Sequence, residues 1–309
     1  MSDQEFSVVT GAFGYTGGYV TSLLLDKGER VKTLTNHPDR PNPFGDRISV
    51  APYNFDTPSA LRESLRGTSV LYNTYWARFA YGQITYDKAV HNSRILVNAA
   101  RDAGVRRIVQ ITVTGASEDS SIPYFRGKGQ VERVVKESGI SYAILRPCMI
   151  FGPDGILIND IAWLLRRIPV FAVPGSGLYK LSPIFVKDLA ELAIDAGQKS
   201  VNEASDAIGP ETLTFNELLQ LIKRTVHSRA LIVHTHPRIA LLLAEIAGKM
   251  VGDIILQQWE IDGMQAGFLC SDSQPTGRTQ LSAWVTENAA DLGRRYYSEL
   301  AKNYDRLKV

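Results

Sequence analysis

Residues 6–17 read Phe6-Ser7-Val8-Val9-Thr10-Gly11-Ala12-Phe13-Gly14-Tyr15-Thr16-Gly17. An apolar strand pattern runs into three glycines spaced three residues apart, and an apolar helix pattern follows over residues 19–25. The first glycine permits a tight turn, the second lets backbone approach a pyrophosphate, and the third lets the helix pack on the strand. The N–H groups at the helix start, with the positive end of its dipole, then face the phosphates. The stretch therefore predicts a dinucleotide-binding βαβ unit rather than an ordinary strand–turn–helix.

Strand and helix patterns alternate through the first half of the chain. The predicted strands cover residues 30–35, 47–52, 69–73, 107–112 and 141–145, and the predicted helices cover 59–66, 86–103 and 123–138. This alternation predicts an α/β fold with a doubly wound, Rossmann-type parallel sheet covered on both faces. We expect residues 1–153 to form this dinucleotide-binding domain.

Beyond Pro147, loops rich in glycine and proline interrupt that alternation. A helix over 159–167, a strand over 182–186 and a helix over 187–197 continue the α/β pattern. Residues 154–309 are therefore expected to supply the remaining sheet elements and a smaller, mainly helical cap. We expect this cap over the carboxyl edge of the sheet, where open α/β sheets bind ligands.

The last third of the chain reads as helical. Thr214, followed three residues later by Glu217, predicts a capping box at a helix start. From Pro237 onward the patterns are mainly helical, and they end in a predicted aromatic helix through Tyr296, Tyr297 and Tyr304.

Composition and charge narrow the class of protein. The 309 residues carry a formal net charge of +2, which gives a nucleic-acid partner no support. The polar, acidic start at residues 1–5 leaves no room for a signal peptide, and the apolar stretch 239–247 is too short to cross a bilayer. These features predict a cytoplasmic protein without a transmembrane segment.

Cysteine and histidine are placed unfavourably for a metal site. Cys148 and Cys270 lack metal-ligand spacing and cannot form a disulfide framework. His234 and His236 alternate on a predicted strand, with no carboxylate cluster near them in the sequence. We therefore expect no metal.

The end of the second strand bears on the choice of cofactor. An acidic residue there selects NAD by binding the ribose, whereas an arginine accommodates the extra phosphate of NADP. No carboxylate stands at this strand tip, Asn36 suits either cofactor, and Arg40 is either a ligand of the 2′-phosphate or a solvated loop charge. The sequence favours NADP, with NAD nearly as well supported.

Aromatic residues follow the third and fourth strands. Asn54 and Phe55, at the end of the third, are placed to hold an adenine ring, although Phe55 also suits the core. The aromatic residues after the fourth strand either line an apolar substrate pocket or pack against the cap; they are Tyr75, Trp76, Phe79 and Tyr81.

The predicted helix after the fifth strand carries the pattern with the clearest chemistry. Tyr124 and Lys128, four residues apart, share one helix face. An ammonium near a phenol favours the phenolate and lowers the tyrosine pKa towards acid–base use, and the same lysine can bind the ribose of the nicotinamide. Thr112 and Thr114 follow the strand and offer hydroxyls to a substrate carbonyl. In a chain with 13 tyrosines such spacing also arises by chance.

Three segments together resemble the short-chain dehydrogenase/reductase superfamily in its extended or atypical branch. They are Thr10–Gly17, the pair Tyr124 and Lys128, and Leu145-Arg146-Pro147. The run from Ser121 to Glu132 resembles the NmrA-like group and the nucleotide-binding accessory subunit of respiratory complex I. The resemblance is good from residue 6 to about 153 and fades after about residue 235.

The resemblance implies a role for particular residues at an NAD(P) cofactor. The implied positions are Gly11, Phe13, Gly14, Tyr15, Thr16 and Gly17 at the pyrophosphate, Asn54 and Phe55 at the adenine, Asn73, Thr74 and Tyr75 along the ribose and nicotinamide, and Pro147 and Ile150 at the carboxamide. Tyr124 is implied as general acid or base, with Lys128 as its partner.

The sequence departs from the family's usual residues at two places. Many relatives carry serine within the segment 112–114, and relatives of the NmrA-like type often carry arginine in place of Asn36.

The sequence supports two hypotheses about function. The first hypothesis is an oxidoreductase or epimerase that uses hydride transfer through nicotinamide on an unidentified small-molecule substrate. The alternative is a non-catalytic NAD(P)-binding redox sensor, regulator or structural subunit. A homo-oligomer or a protein partner, contacted by the helical stretch from Pro237, stays open.

Overall fold

The structure is a computed structural model, and it describes residues 5–304 of the chain. Residues 1–4, which belong to the polar start that predicts the absence of a signal peptide, lie outside the described range. Within that range the strands are β1 (Phe6–Thr10), β2 (Val31–Thr35), β3 (Ile48–Pro52), β4 (Thr68–Asn73), β5 (Arg107–Ile111), β6 (Ser141–Pro147), β7 (Met149–Phe151), β8 (Val170–Pro174), β9 (Lys180–Leu181), β10 (Pro183–Phe185), β11 (Glu203–Ala207), β12 (Leu213–Thr214) and β13 (Leu231–Thr235).

The helices of the same range are α1 (Tyr15–Asp26), α2 (Pro58–Leu65), α3 (Tyr86–Asp102), α4 (Pro123–Lys136), α5 (Ile156–Arg167), α6 (Val186–Gln198), α7 (Phe215–Thr225), α8 (Pro237–Val251), α9 (Gln258–Gln265), α10 (Leu281–Glu287) and α11 (Glu299–Asn303). None of these helices is long and apolar enough to cross a bilayer.

The chain divides into two compact units that interleave along the sequence. The first unit comprises the described residues up to Pro147 together with Val186–Ala207. The second unit comprises Cys148–Phe185 and the described residues from Ile208 onward. Each unit has its own apolar core.

The first unit is built on a seven-stranded sheet with the order β11-β6-β5-β4-β1-β2-β3. Every neighbouring pair in it is parallel, and the strand order reverses between β1 and β4. The doubly wound parallel sheet predicted from the sequence is therefore confirmed. In sheets of this kind, ligands bind outside the carboxyl ends of the strands at the point where the order reverses.

Apolar side chains from successive strands form the core of the first unit. They include Val8, Leu34, Leu71, Ile108 and Ile144, which are all fully buried. On the faces of the sheet α1 packs against α6, and α3 packs against both α2 and α4. Gly104, just beyond α3, has a φ of +78°, which explains why glycine ends that helix.

The second unit is mainly helical, as the sequence predicts for most of this region. Its strands form three short pairs: β7 with β10, β8 with β13, and β9 with β12. The predicted capping box is confirmed, because Thr214 accepts the Glu217 N–H while the Glu217 carboxylate accepts the Thr214 N–H. The prediction of a final helix through Tyr296 and Tyr297 is wrong, because α11 begins only at Glu299 after its cap Ser298.

Candidate functional site

The glycine turn after β1 brings the backbone of helix α1 into close contact with the end of β1. Gly11 has a φ of +68°, and its carbonyl accepts a hydrogen bond from the Gly14 N–H over 2.8 Å. A Cβ on Gly17 would lie 2.3 Å from the Gly11 oxygen, so α1 can approach β1 this closely only with glycine there. Gly14 is the N-cap of α1 and has no side chain to occupy the first turn. These residues fit a pyrophosphate bound at the helix N-terminus.

A buried polar network holds that turn against β4 and β5. The Thr10 hydroxyl donates to Asn73 Oδ1 over 2.9 Å and accepts the Thr74 N–H over 2.7 Å. Asn73 Nδ2 donates to Gln110 Oε1 over 2.7 Å, and the Thr74 hydroxyl donates to the Thr10 carbonyl. Asn73 is fully buried, so its side chain serves this network. The network fixes the carboxyl ends of three neighbouring strands.

The ends of β3 and β4 form an aromatic cluster. The Tyr53 and Phe55 rings stack with centroids 4.8 Å apart, and Tyr75 lies edge-on to Tyr53 at 5.1 Å. The Tyr75 hydroxyl accepts a hydrogen bond from Asn92 Nδ2 over 2.9 Å. Burial raises the pKa of both phenols, so Tyr53 and Tyr75 stay neutral at physiological pH. Asn54, between Tyr53 and Phe55, turns the chain with a φ of +48°.

The loop after β2 carries the side chains that bear on the choice of cofactor. Asn36 is exposed and Arg40 is half-buried. The loop starts in a side-chain turn, because the His37 N–H donates to the Thr35 hydroxyl over 3.1 Å. The Arg40 N–H then donates to the His37 carbonyl over 3.2 Å.

Tyr124 and Lys128 lie on the first two turns of α4, at the carboxyl side of β5. Tyr124 is half-buried, and its ring is edge-on to Trp76 at 6.0 Å and to Tyr86 at 5.8 Å. Lys128 is 5% exposed, and its Nζ lies 4.7 Å from the centre of the Trp76 ring. Burial lowers the pKa of Lys128 from 10.5 to about 7, against the opposing effect of Glu132.

Glu132, one turn beyond Lys128, is the centre of an ion cluster. Arg146 donates to both carboxylate oxygens of Glu132, with Nε and Oε1 2.7 Å apart. The Nζ atom of Lys136 lies 3.4 Å from Oε2. The Thr112 hydroxyl donates to Oε1 over 2.8 Å. Burial by itself would raise the pKa of Glu132, but the hydrogen bonds and charges of these partners hold that pKa below 4.5.

The remaining sequence-predicted residues divide between the two units. Thr114 is buried in the first unit, and its N–H donates to the Pro147 carbonyl over 3.1 Å. Ile150 lies half-buried in β7 of the second unit. Of the aromatic residues after β4, Phe79 is 1% exposed and Tyr81 is 46% exposed.

Sequence reasoning missed Tyr86, Gln110 and Glu132 as residues that support the site. A signal for Glu132 exists, since residues 124, 128 and 132 recur at a helical spacing of four. Tyr86 and Gln110 reach the site from α3 and β5, and nothing local in their sequence marks them.

Comparisons with known proteins indicate the same kind of domain as the glycine turn. Residues 11–155 match an NAD(P)H-binding family. The mitochondrial NADH dehydrogenase (ubiquinone) 1 alpha subcomplex subunit 9 of Arabidopsis thaliana is 22% identical over 227 residues, covering 70% of this chain and 56% of that protein. The NAD(P)H azoreductase of Xenophilus azovorans is 27% identical over 218 residues, covering 68% of this chain and 70% of that protein. The chain thus spans little more than half the length of the Arabidopsis relative.

Solved structures share the fold. The crystal structure of Citrobacter sp. triphenylmethane reductase complexed with NADP(H) has a TM-score of 0.76 at 19% identity, covering 92% of this chain and 100% of that chain. A nucleoside-diphosphate-sugar epimerase from Staphylococcus aureus has a TM-score of 0.73 at 17% identity, covering 91% of this chain and 99% of that chain.

The glycine turn, the parallel sheet and the family match together define the kind of domain: residues 11–155 match an NAD(P)H-binding family, and the first unit has a doubly wound, Rossmann-type parallel sheet. More particularly, its relatives in sequence include an NADH dehydrogenase subunit and an NAD(P)H azoreductase.

Proposed function

We propose that this chain is an NAD(P)-dependent oxidoreductase or epimerase that acts on a small molecule and uses Tyr124 as its proton donor and acceptor. The observation that carries the proposal is the placement of Tyr124 one helical turn before a buried lysine, on the helix that follows β5. A positively charged Lys128 favours the phenolate form of Tyr124, which is the form that accepts a proton.

The cofactor supplies a hydride when it is bound at the glycine turn. The residues of this chain do the rest: reduction of a carbonyl adds that hydride to carbon and one proton to oxygen, and Tyr124 Oη gives the proton. In the reverse direction the same oxygen accepts the proton, which returns to solvent. Thr114 is proposed to donate a hydrogen bond to the substrate oxygen, and Thr112 is proposed to support it through Glu132, to which its hydroxyl is bonded.

NADP is the proposed cofactor, with NAD as the competing assignment. Support comes from the tip of β2, where Thr35, Asn36 and His37 bring no carboxylate to the ribose and Arg40 lies half-buried in the same loop. Titration of the purified chain with NADPH and NADH should give tighter binding of NADPH. Arg40→Gln should remove most of that difference and leave NADH binding unchanged, whereas equal loss for both cofactors would contradict the assignment.

Turnover tests the catalytic part of the proposal. The purified chain is mixed with NADPH and a panel of carbonyl, quinone, azo and nucleotide-sugar substrates, and consumption or epimerisation is followed. Tyr124→Phe should lower kcat by about 100-fold or more while the dinucleotide Kd changes less than threefold. Tyr142→Phe is the matched control and should keep full turnover, because Tyr142 is the second residue of β6 and lies at the amino end of that strand, away from the carboxyl edge of the sheet. Unchanged kcat in Tyr124→Phe would overturn the role of Tyr124.

The alternative function is a non-catalytic NAD(P)-binding regulator or subunit. Two observations favour it: the Thr112 hydroxyl is bonded to Glu132, and α8 exposes a stripe of large apolar side chains, Ile239, Leu242, Leu243, Ile246 and Met250. A chain that binds NADPH, turns over none of the panel and resides in mitochondria rather than in the cytoplasm would support this alternative. Failure to bind any dinucleotide would contradict both functions.

A further inference from the structure

The Trp76 indole touches each member of the candidate catalytic pair. Its ring lies 4.7 Å from Lys128 Nζ and meets the Tyr124 ring edge-on at 6.0 Å. On Tyr86 it stacks nearly parallel, with an interplanar angle of 9° and centroids 6.0 Å apart. Trp76 comes from the loop after β4, whereas Tyr124 and Lys128 belong to α4. One side chain from a neighbouring segment therefore covers both groups.

Gly127 supplies an independent sign that the indole belongs at this place. A Cβ on Gly127 would lie 2.8 Å from Cη2 and 3.3 Å from Cζ2 of Trp76. Its backbone is helical, and glycine weakens the interior of a helix relative to alanine. The glycine between Tyr124 and Lys128 is thus explained by the space that the Trp76 ring needs, because helical geometry does not require it.

The carbon atoms of the Trp76 ring system, rather than its polar atom, make these contacts. Its indole N–H is buried and has no hydrogen-bond partner within residues 5–304. Phenylalanine at position 76 could therefore still cover the Lys128 ammonium, and no hydrogen bond would be lost. An alanine could not, since it would admit water to Lys128.

Burial and the contact with the Trp76 ring shift the pKa of the Lys128 ammonium in opposite directions. Burial lowers the pKa of Lys128 to about 7, whereas a cation–π contact favours the charged form by roughly 0.4–1.5 pKa units. Glu132, one turn along α4, also favours the charged form, and its carboxylate is held by Arg146 from β6 and by Lys136. Of these effects burial is the largest, so removal of the cover should raise the Lys128 pKa.

We propose that Trp76 is a positioning residue for the Tyr124–Lys128 pair: its indole excludes water from the Lys128 ammonium and fixes the Tyr124 ring edge-on. The inference deepens the proposed function and rests on it for the catalytic meaning of the pair. The cover itself is a property of the unliganded chain. It can therefore be measured whether or not a substrate is known.

Lysine ε-carbon NMR on the full chain, labelled with ¹³C-lysine, measures the titration of Lys128 directly, and the Lys128→Met spectrum assigns its signal. We expect Trp76→Ala to raise the Lys128 titration midpoint by one unit or more and Trp76→Phe to keep it within half a unit. Trp163 is the matched control, because its ring also lies against a cation, Arg167, at 4.5 Å, but in the second unit. Trp163→Ala should leave Lys128 unchanged.

Gly127→Ala is a second variant that tests the proposal if Trp76→Ala does not fold, and the two substitutions together form a double-mutant cycle. Gly127→Ala should displace the indole and shift the Lys128 midpoint in the wild-type background, and it should cause no further shift in Trp76→Ala. A Lys128 midpoint in Trp76→Ala and in Gly127→Ala within 0.3 units of wild type would overturn the proposal.

Turnover separates this inference from the proposed function. If the chain is an enzyme, the alkaline limb of the kcat profile should move up in Trp76→Ala together with the NMR midpoint, and Trp76→Phe should restore it. A shifted NMR midpoint in a chain without turnover would support the cover and contradict the enzyme. A normal midpoint with a kcat profile that still responds to Tyr124→Phe would contradict the cover alone.

Discussion

Arg146 holds Glu132 through two hydrogen bonds that tie strand β6 to helix α4. Thr112, at the end of β5, donates to the same carboxylate over 2.8 Å. Because Glu132 lies one turn beyond Lys128, this cluster fixes the helix that presents the candidate catalytic pair. The stability of the fold and the position of the candidate pair therefore depend on the same carboxylate.

Glu132→Gln should lower the free energy of unfolding by about 2–4 kcal/mol, because it leaves Arg146 without its ionic partner in a largely buried place. The folded-state pKa of Glu132 lies below its ordinary 4.5, so its charged form stabilises the fold above about pH 4.5 and that contribution is lost as pH falls. The difference in unfolding free energy between wild type and Glu132→Gln, measured by urea unfolding, should therefore be smaller at pH 3.5 than at pH 7. The exposed Glu137→Gln is the control, and an equal effect there would refute the prediction.

Arg107→Gln should destabilise the protein by about 3 kcal/mol, because three acceptors lose the donors of a buried guanidinium. Arg107 is 3% exposed, and it donates to the carbonyls of Ala196 and Val201 and to the Ser141 hydroxyl. Hydrogen exchange should quicken at the end of α6. Arg106→Gln breaks only an exposed pair with Glu5 and should cost less than about 1 kcal/mol; a similar loss in both variants would contradict the role of Arg107.

Gly17→Ala should weaken NADPH binding by about tenfold or more and lower stability by about 1–3 kcal/mol, because the added methyl group meets the Gly11 carbonyl at 2.3 Å. Gly18→Ala is the matched control on the same helix, since its Cβ would lie 3.3 Å from the nearest oxygen, that of Ala12. We expect it to stay within about 1 kcal/mol of wild type. Fluorescence titration and thermal unfolding measure both quantities, and equal binding by the two variants would count against the glycine turn.

Asp160→Asn should stabilise the protein at pH 8 and leave it nearly unchanged at pH 4. Burial raises the folded-state pKa of Asp160 to about 7, with Asp253 and Glu299 adding to the rise. Its unfolded value is 3.8, so the stability that it contributes is complete below about pH 4 and is lost as pH rises through 7. The amide oxygen can still accept from the Tyr297 N–H. Urea midpoints across this pH range test the sign, and a larger gain at pH 4 would disprove it.

The parts of the fold that local sequence determines were predicted well. The glycine turn and six strands of the sheet follow from apolar runs and from glycine spacing, and the observed bounds differ by at most two residues. Strand β11 was not predicted, because Glu203-Ala204-Ser205-Asp206-Ala207 has neither an apolar run nor a clear alternation. Its extended form depends on parallel pairing with β6, a contact that only the folded sheet provides.

For the candidate site, the sequence indicates only the arrangement that lies within one helix. Tyr124 and Lys128 are neighbours within one helix, so their spacing in the sequence indicates their contact face. The place of Trp76 over Lys128 depends on how a loop folds back, and the sequence left its role open. The predicted final helix starts too early because the spacing of its aromatic residues resembles a helical face, whereas the Tyr296 hydroxyl donates to Asp253 before the helix starts.

The interleaved units constrain how this chain is made. Residues 148–185 belong to the second unit, yet they are translated before α6 and β11, which complete the first. Arg107 must therefore wait for Ala196 and Val201 to leave the ribosome before its buried donors are satisfied. The first unit is complete in sequence only at Ala207, and a chain cut after residue 155 would retain the NAD(P)H-binding match while lacking one edge of its sheet.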